Sequence, residues 1–160
     1  MHGWLARFAA IVAVTVIATG GSASAQLADK KALTLDAAKT VAAAAAVEAK
    51  QNNWSVCIAV VDDGGNLVYF ERIDGTQLGS ISVAQGKART ALQFKRPTKV
   101  FEDAVASGRT VVMTLTPDIV TVEGGVPLVH NGVIVGAIGV SGVLPSQDAQ
   151  IAMAGVGALK

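Results

Sequence analysis

The residue of this chain best suited to bind a metal is His130. Apart from His2, His130 is the only histidine in the sequence, and it directly precedes the turn-forming pair Asn131-Gly132. A neutral imidazole is a common ligand of metals and of iron in particular, so His130 is a candidate iron ligand. A lone histidine beside a turn is more often a solvated surface residue, and this alternative stays open.

A second set of residues could bind an anion. Five basic residues lie close together in the sequence before the next acidic residue, namely Lys87, Arg89, Lys95, Arg96 and Lys99. Beside a helix that begins at a serine, such a run could hold the carboxylates of an organic acid, with Lys87, Arg89 and Arg96 as binding residues. The alternative is an ordinary solvated helix face.

Two acidic residues are candidates for acid and base chemistry. Asp74 and Glu123 each stand next to a glycine at the end of a predicted strand. They could form a catalytic pair or a metal site if the fold brought them together, and otherwise they serve as turn or capping residues. The sequence contains no Ser-His-Asp order, no HExxH and no phosphate-binding loop, and its glycine doublets are interpreted as hairpin turns.

These residues are arranged around a predicted apolar hairpin over residues 124–142, GGVPLVHNGVIVGAIGVSG. A type I′ turn at Asn131-Gly132 pairs His130 with Val133. The same register predicts four further pairs, which are Val129 with Ile134, Leu128 with Val135, Pro127 with Gly136, and Val126 with Ala137. Neither face carries a charge, so helices or a second subunit must cover both. Gly136, Gly139 and Gly142 indicate close approach to the backbone by packing or by a ligand.

The pattern of the whole chain predicts helices and strands in the order α-β-β-α-α-β-β-β-α. An alanine-rich helix begins after the N-cap Thr34 and ends near Gln51. The further predicted elements are strands Ser55–Val61, Leu67–Arg72 and Thr110–Leu115, a helix capped by Ser80 or Ser82 and ending at Gln93, a helix beginning at Thr98, and a terminal helix Gln147–Leu159 capped by Ser146. Hairpins separated by helices predict a single α/β (α+β) domain in which helices pack on an antiparallel sheet.

The first 25 residues are predicted to be a secretory signal peptide. Arg7 precedes an apolar run from Phe8 to Ala18, and Ala23-Ser24-Ala25 fits a cleavage site. The apolar run is too short to span a bilayer, although an uncleaved anchor is the alternative. The domain is then residues 26–160, with a periplasmic or secreted location and no membrane span after cleavage.

Charge and cysteine content exclude several functions. The sequence has 13 basic and 12 acidic residues, so nothing in its balance favours a nucleic-acid partner. Cys57 is the only cysteine, which excludes an intramolecular disulfide, and its apolar neighbours predict a buried thiol.

Three blocks of the chain resemble the GlcG/HbpS family of haem-degrading domains. They are LTLDAAKTVAAAAAVEA, VVDDGGNLVYFERIDGTQLGSISVAQGKARTALQF and GGVPLVHNGVIVGAIGVSGVLPSQDAQIA, which together cover nearly all of residues 26–160. The resemblance implies a profilin-like fold, assembly into a homo-oligomer, and a haem or other tetrapyrrole ligand that the protein handles or degrades.

The resemblance also implies how haem would be held. Haem-binding members are expected to use an axial histidine near the first helix, and this chain has none there. His130 is therefore the candidate axial ligand, with Lys87, Arg89 and Arg96 as partners of the propionates. The alternatives are an enzyme that acts on a small organic acid through Asp74 and Glu123, and a subunit with a purely structural or partner-binding role.

Overall fold

The computed structural model describes residues 30–160, in which helices pack on both faces of an antiparallel sheet. The elements are α1 (Leu35–Gln51), β1 (Cys57–Asp62), β2 (Leu67–Arg72), α2 (Ser80–Gln93), α3 (Lys99–Ala106), a 3₁₀ helix (Thr110–Thr114), β3 (Gly125–His130), β4 (Val133–Ser141) and α4 (Pro145–Gly157). The strand order is β2-β1-β4-β3. The predicted single α+β domain is confirmed.

Alternation along the strands divides the core into two layers. Ile58 and Val60 of β1 are buried with α1 and α4, whereas Ala59 and Val61 are buried with α2. Period-two alternation therefore supplies both faces of β1 with apolar side chains. Helices of the same chain cover both faces of the predicted apolar hairpin except near its turn, where Val129 is 49% and Val133 52% exposed.

Helix α1 begins as predicted. The backbone N–H of Ala37 donates to Thr34 Oγ1 at 3.2 Å, so Thr34 is the N-cap. The buried residues of α1 are mostly alanines, including Ala38, Ala42 and Ala49. Their small side chains let this helix pack directly on the sheet.

The hairpin of β3 and β4 follows the predicted register only near its turn. His130 pairs with Val133 and Val129 with Ile134, and Asn131 and Gly132 both have positive φ, as predicted. A β-bulge then shifts the pairing, so the predicted partners of the earlier residues are wrong. Instead Leu128 pairs with Gly136, Pro127 with Ala137 and Val126 with Ile138. The bulge leaves Val135 as the extra residue of β4.

Glycines in β4 allow the helix and the neighbouring strand to approach closely, as predicted. A Cβ atom on Gly139 would lie 2.1 Å from the carbonyl oxygen of Ala84 in α2. A Cβ on Gly136 would lie 2.3 Å from the carbonyl oxygen of Val61 in β1. In both cases the approaching group belongs to the chain itself, so packing explains these glycines.

Three sequence predictions of local structure are wrong. The predicted strand Thr110–Leu115 is not formed, and Thr110–Thr114 is a 3₁₀ helix beside α3, because β propensity is realised only where a sheet neighbour is available. Helix α2 begins at Ser80 without a side-chain cap. Helix α4 begins at Pro145, and the backbone N–H of Leu144 donates to Gln147 Oε1 at 3.2 Å, so Ser146 is not its cap.

Two further predictions concern exposure and the membrane. Cys57 is fully buried, and burial raises the pKa of its thiol. Within residues 30–160 no helix is both long enough and apolar enough to cross a bilayer. The predicted signal peptide lies outside the residues that the structure describes.

Candidate functional site

A cleft lies where the start of α1, the tip of the β3–β4 hairpin and the residues after α4 meet. Its volume is about 180 Å³. The lining residues are Lys31, Ala32, Leu33, Thr34, Ala37, His130, Val135, Leu159 and Lys160. The cleft therefore combines apolar walls with one imidazole and two ammonium groups.

The hairpin turn presents His130 to this cleft. His130 is the last residue of β3 and is half-buried. Its Nε2 lies 3.1 Å from Nδ2 of Asn131, so in the neutral ring Nε2 accepts this hydrogen bond and Nδ1 carries the proton. Because an iron ligand needs a free nitrogen lone pair, coordination through Nε2 would replace the contact with Asn131.

The bulge in β4 shapes the wall beside His130. Val135, the extra residue of the bulge, is buried and contributes to the lining. Val133 pairs directly with His130, shares its face of the hairpin and is 52% exposed. The imidazole thus stands within an apolar surface that continues past the cleft.

A second depression, of about 320 Å³, adjoins the cleft. It is lined by Ala37, Thr40, Ala158, Leu159 and Lys160, three of which also line the cleft. The two spaces form one continuous surface along the first turns of α1. Together they reach the range of small-molecule sites, about 300–1,000 Å³.

The basic run of the sequence does not reach this cleft. Lys87 is 1% exposed, and its Nζ lies 2.7 Å from Oδ2 of Asp148 in the first turn of α4. Arg89 is half-buried and contacts Gln85, whereas the Nε of the exposed Arg96 donates to the carbonyl of Phe94 at 2.9 Å. None of the three lines the His130 cleft.

Burial dominates the electrostatics of the Lys87–Asp148 pair. It lowers the pKa of Lys87 and raises the pKa of Asp148, and each partner opposes the shift of the other. The pair holds both charges in place through this mutual attraction, and Oδ1 of Asp148 also accepts the N–H of Val143 at 3.2 Å. The pair joins α2 to α4 across the end of the sheet.

The glycine doublet Gly124-Gly125 makes room for this pair, which corrects its interpretation as a hairpin turn. A Cβ atom on Gly124 would lie 2.9 Å from Nζ of Lys87 and 2.8 Å from Cβ of Asp148. A Cβ on Gly125 would lie 2.3 Å from the carbonyl oxygen of Lys87. Any side chain at either position would displace the lysine.

Asp74 and Glu123 lie at the same end of the sheet but at its two opposite edges. Asp74 follows β2 and Glu123 precedes β3, and these are the two edge strands. Three strand spacings of about 4.8 Å separate such edges by roughly 14 Å. Asp74 is exposed, and its carbonyl accepts from Ser55 Oγ, whereas the N–H of Glu123 donates to Glu102 Oε2 at 2.6 Å. The fold does not bring the two side chains together as an acid and base pair.

Sequence reasoning missed Asp148, Lys31 and Lys160. Asp148 is spaced at three, four and seven residues from Ile151, Ala152 and Gly155, the other buried positions of α4, so helical periodicity could have found it. The lysines carry no such signal, because only the fold brings residues 31 and 160 to one cleft. Within residues 30–160 no group of three or more histidine, cysteine or acidic residues could hold a metal ion.

Known proteins resemble this chain in sequence over most of its length. The sequence profile of the family described as haem degrading protein HbpS-like matches residues 33–157. Protein GlcG of Escherichia coli K12 is 46% identical over 112 residues, which are 70% of this chain and 83% of GlcG.

Two crystal structures have the same fold. HbpS superposes with a TM-score of 0.77 at 34% identity, covering 84% of this chain and 95% of HbpS. A PduOC:haem complex superposes with a TM-score of 0.75 at 29% identity, covering 81% of this chain and 96% of PduOC.

Proposed function

Because this chain belongs to the HbpS-like family of haem-degrading proteins, we propose that it binds haem at the cleft beside His130. The observation that carries the proposal is the half-buried imidazole of His130 within a cleft of otherwise apolar and cationic lining. The haem-bound PduOC structure supports the choice of ligand.

The residues of the cleft fit the chemical groups of haem. Leu33, Ala37, Val135 and Leu159 offer apolar contact to the macrocycle, and His130 offers a nitrogen donor to its iron. Bound haem would supply a redox-active iron centre. The chain's own contribution is to bind and orient the macrocycle and to exclude water from one of its faces.

The size of the cleft determines how much of the ligand it can enclose. A cleft of about 180 Å³ is smaller than a typical ligand pocket, so the macrocycle would extend over the adjoining depression with one face partly open. The proposed mode is therefore a solvent-accessible complex in which the chain would cover one face of the macrocycle. It is suited to uptake and release of haem.

Titration with hemin tests this proposal. We expect a Soret band that shifts on addition of wild-type protein, and a different band position with weaker binding in His130→Ala. Exogenous imidazole should restore the wild-type band position in that variant. Met153→Leu serves as the control, because Met153 is an exposed sulfur donor outside the cleft. An unchanged spectrum and affinity in His130→Ala would refute ligation by His130.

The same samples distinguish haem handling from haem degradation. Under air with ascorbate, a Soret band that persists indicates that the protein carries haem, whereas progressive bleaching indicates that it degrades haem. Free hemin under the same conditions is the control.

We also propose that the protein self-associates, although not through the surfaces that the sequence favoured. Most alanines of α1 and most side chains of the hairpin are buried within the chain. Exposed apolar side chains lie instead in and beside the 3₁₀ helix, where Val111 is 62%, Met113 54% and Leu115 51% exposed. Light scattering at micromolar concentration should show an oligomer that Val111→Ser/Met113→Ser weakens, and a monomeric wild-type mass would contradict this.

We propose, finally, that the protein is exported to the periplasm or beyond. The support is the pattern of Arg7, the apolar run and the Ala-Ser-Ala motif at residues 23–25. N-terminal sequencing of protein from its native host should begin at Gln26. Recovery of functional protein that retains Met1 would exclude cleavage.

A further inference from the structure

Two lysines outside the dense basic run of the sequence lie on the cleft. Lys31 precedes α1 and Lys160 follows α4, and both are exposed and contribute to the lining. Lys160 also lines the adjoining depression, so it stands where the two spaces join. The cleft thus receives one ammonium group from each of two separate segments.

These lysines have no competing acidic partner in the described part of the chain. The ion pairs within residues 30–160 join Lys30 to Asp63, Lys87 to Asp148 and Lys99 to Asp103. The residues that line the cleft include no aspartate or glutamate. Among the described residues, therefore, no ion pair occupies the ammonium group of Lys31 or of Lys160.

We propose that Lys31 and Lys160 form a carboxylate clamp, which makes the cleft selective for tetrapyrroles with free propionates over neutral ones. This inference rests on the proposed haem site and assigns the cation role to residues other than Lys87, Arg89 and Arg96. An amphipathic ligand would place its apolar body on Leu33, Ala37 and Leu159 and its carboxylates towards the two ammonium groups.

The solvent exposure of the clamp determines the size of the effect. Exposed ion pairs of this kind contribute little individually, so removal of either lysine should weaken binding about two- to fivefold, and removal of both by more. Added salt should reduce the effect, because exposed charges are screened over about 10 Å at 0.1 M ionic strength. The iron ligand is untouched, so the Soret position should stay constant.

The experiment compares hemin with hemin dimethyl ester, whose propionates are uncharged. Affinities are measured for the wild type, Lys31→Gln, Lys160→Gln, the double variant and the control Lys50→Gln, which removes an exposed charge at the other end of α1. We expect the wild type and the control to prefer hemin, and the double variant to lose that preference without a change in Soret position.

Each possible result is informative. Equal wild-type affinity for hemin and its dimethyl ester would overturn the clamp while leaving the haem site intact. A double variant that keeps the wild-type preference would overturn it as well. Failure of the wild type to bind hemin at all would instead refute the haem site, and the clamp with it.

Discussion

Among substitutions that remove one charge, we expect the substitution of Lys87 to destabilise the fold most. Lys87→Met replaces the ammonium group with an apolar side chain of similar length and leaves Asp148 without its counter-ion. The side chains of this pair are 1% and 3% exposed, so water cannot take over the role of the lysine. Breaking a buried ion pair by removing one partner typically destabilises a protein by about 3–5 kcal/mol.

The expected loss is a large part of the total stability. Domains of this size unfold with a free energy of about 5–15 kcal/mol. A loss of about 3–5 kcal/mol would lower Tm by roughly 10–20 °C. The variant should therefore be clearly less stable than the wild type, and urea unfolding followed by circular dichroism would measure the difference directly.

The loss should depend on pH in a defined direction. Burial raises the pKa of Asp148, and Lys87 opposes that shift, so without Lys87 the pKa rises further. When the pKa of an acid is higher in the folded state than in the unfolded state, the ionised acid destabilises the fold. This destabilisation is complete at a pH above the folded-state pKa, and it disappears as the acid is protonated at lower pH. The destabilisation by Lys87→Met should thus shrink as pH falls from 7 towards 4.

Two further variants complete the test. Lys87→Met/Asp148→Asn removes both charges while keeping an oxygen acceptor for the N–H of Val143, and it should recover most of the lost stability. Lys99→Met is the matched control, because Lys99 forms an exposed ion pair with Asp103 and its loss should leave stability unchanged. A loss below about 1 kcal/mol in Lys87→Met, or one independent of pH, would refute the reasoning.

Two more predictions concern backbone packing and helix capping. Gly139→Ala should destabilise the fold by at least about 1–3 kcal/mol, because its Cβ would lie 2.1 Å from the carbonyl oxygen of Ala84. Gly157→Ala meets no atom within 4 Å and should leave stability unchanged or raised in the same urea experiment. Thr34→Ala should cost about 1 kcal/mol by removing the N-cap of α1, and thermal unfolding with Thr34→Ser as the conservative control would measure it.

The sequence predicts the fold well where local signals and tertiary packing agree. Asn131-Gly132 requires a tight turn, and Thr34 caps α1, so both features can be read from a few neighbouring residues. The bulge at Val135 cannot be read in this way, because it depends on how β4 meets β3 and β1 at once. The sequence likewise predicts a strand where Thr110–Thr114 forms a 3₁₀ helix. Here too the outcome depends on tertiary contacts, because β-branched residues form strands only beside a partner strand.

The candidate site was predictable only in part. The candidate role of His130 can be predicted from its residue type and its place at the hairpin tip. The density of basic residues, by contrast, wrongly suggests that Lys87 is available to bind a ligand. In α2 the buried positions include Ser80, Ala84, Ala88 and Ala91, and Lys87 falls within that helical stripe. A charged residue at the centre of an apolar stripe requires a buried partner, which is the signal that points from Lys87 to Asp148.

Helix α4 connects the two chemically distinct regions of the molecule. Its first turn carries Asp148, which is fixed to α2 by the buried ion pair, and the residues that follow its last turn include Leu159 and Lys160, which line the cleft. At a rise of 1.5 Å per residue, its 13 residues place these two regions about 20 Å apart. Gly155 lets the last turns of α4 pack tightly against Val41 of α1. The ion pair therefore anchors the first turn of α4 to α2, while the packing at Gly155 anchors its last turns next to Leu159 and Lys160, which line the cleft.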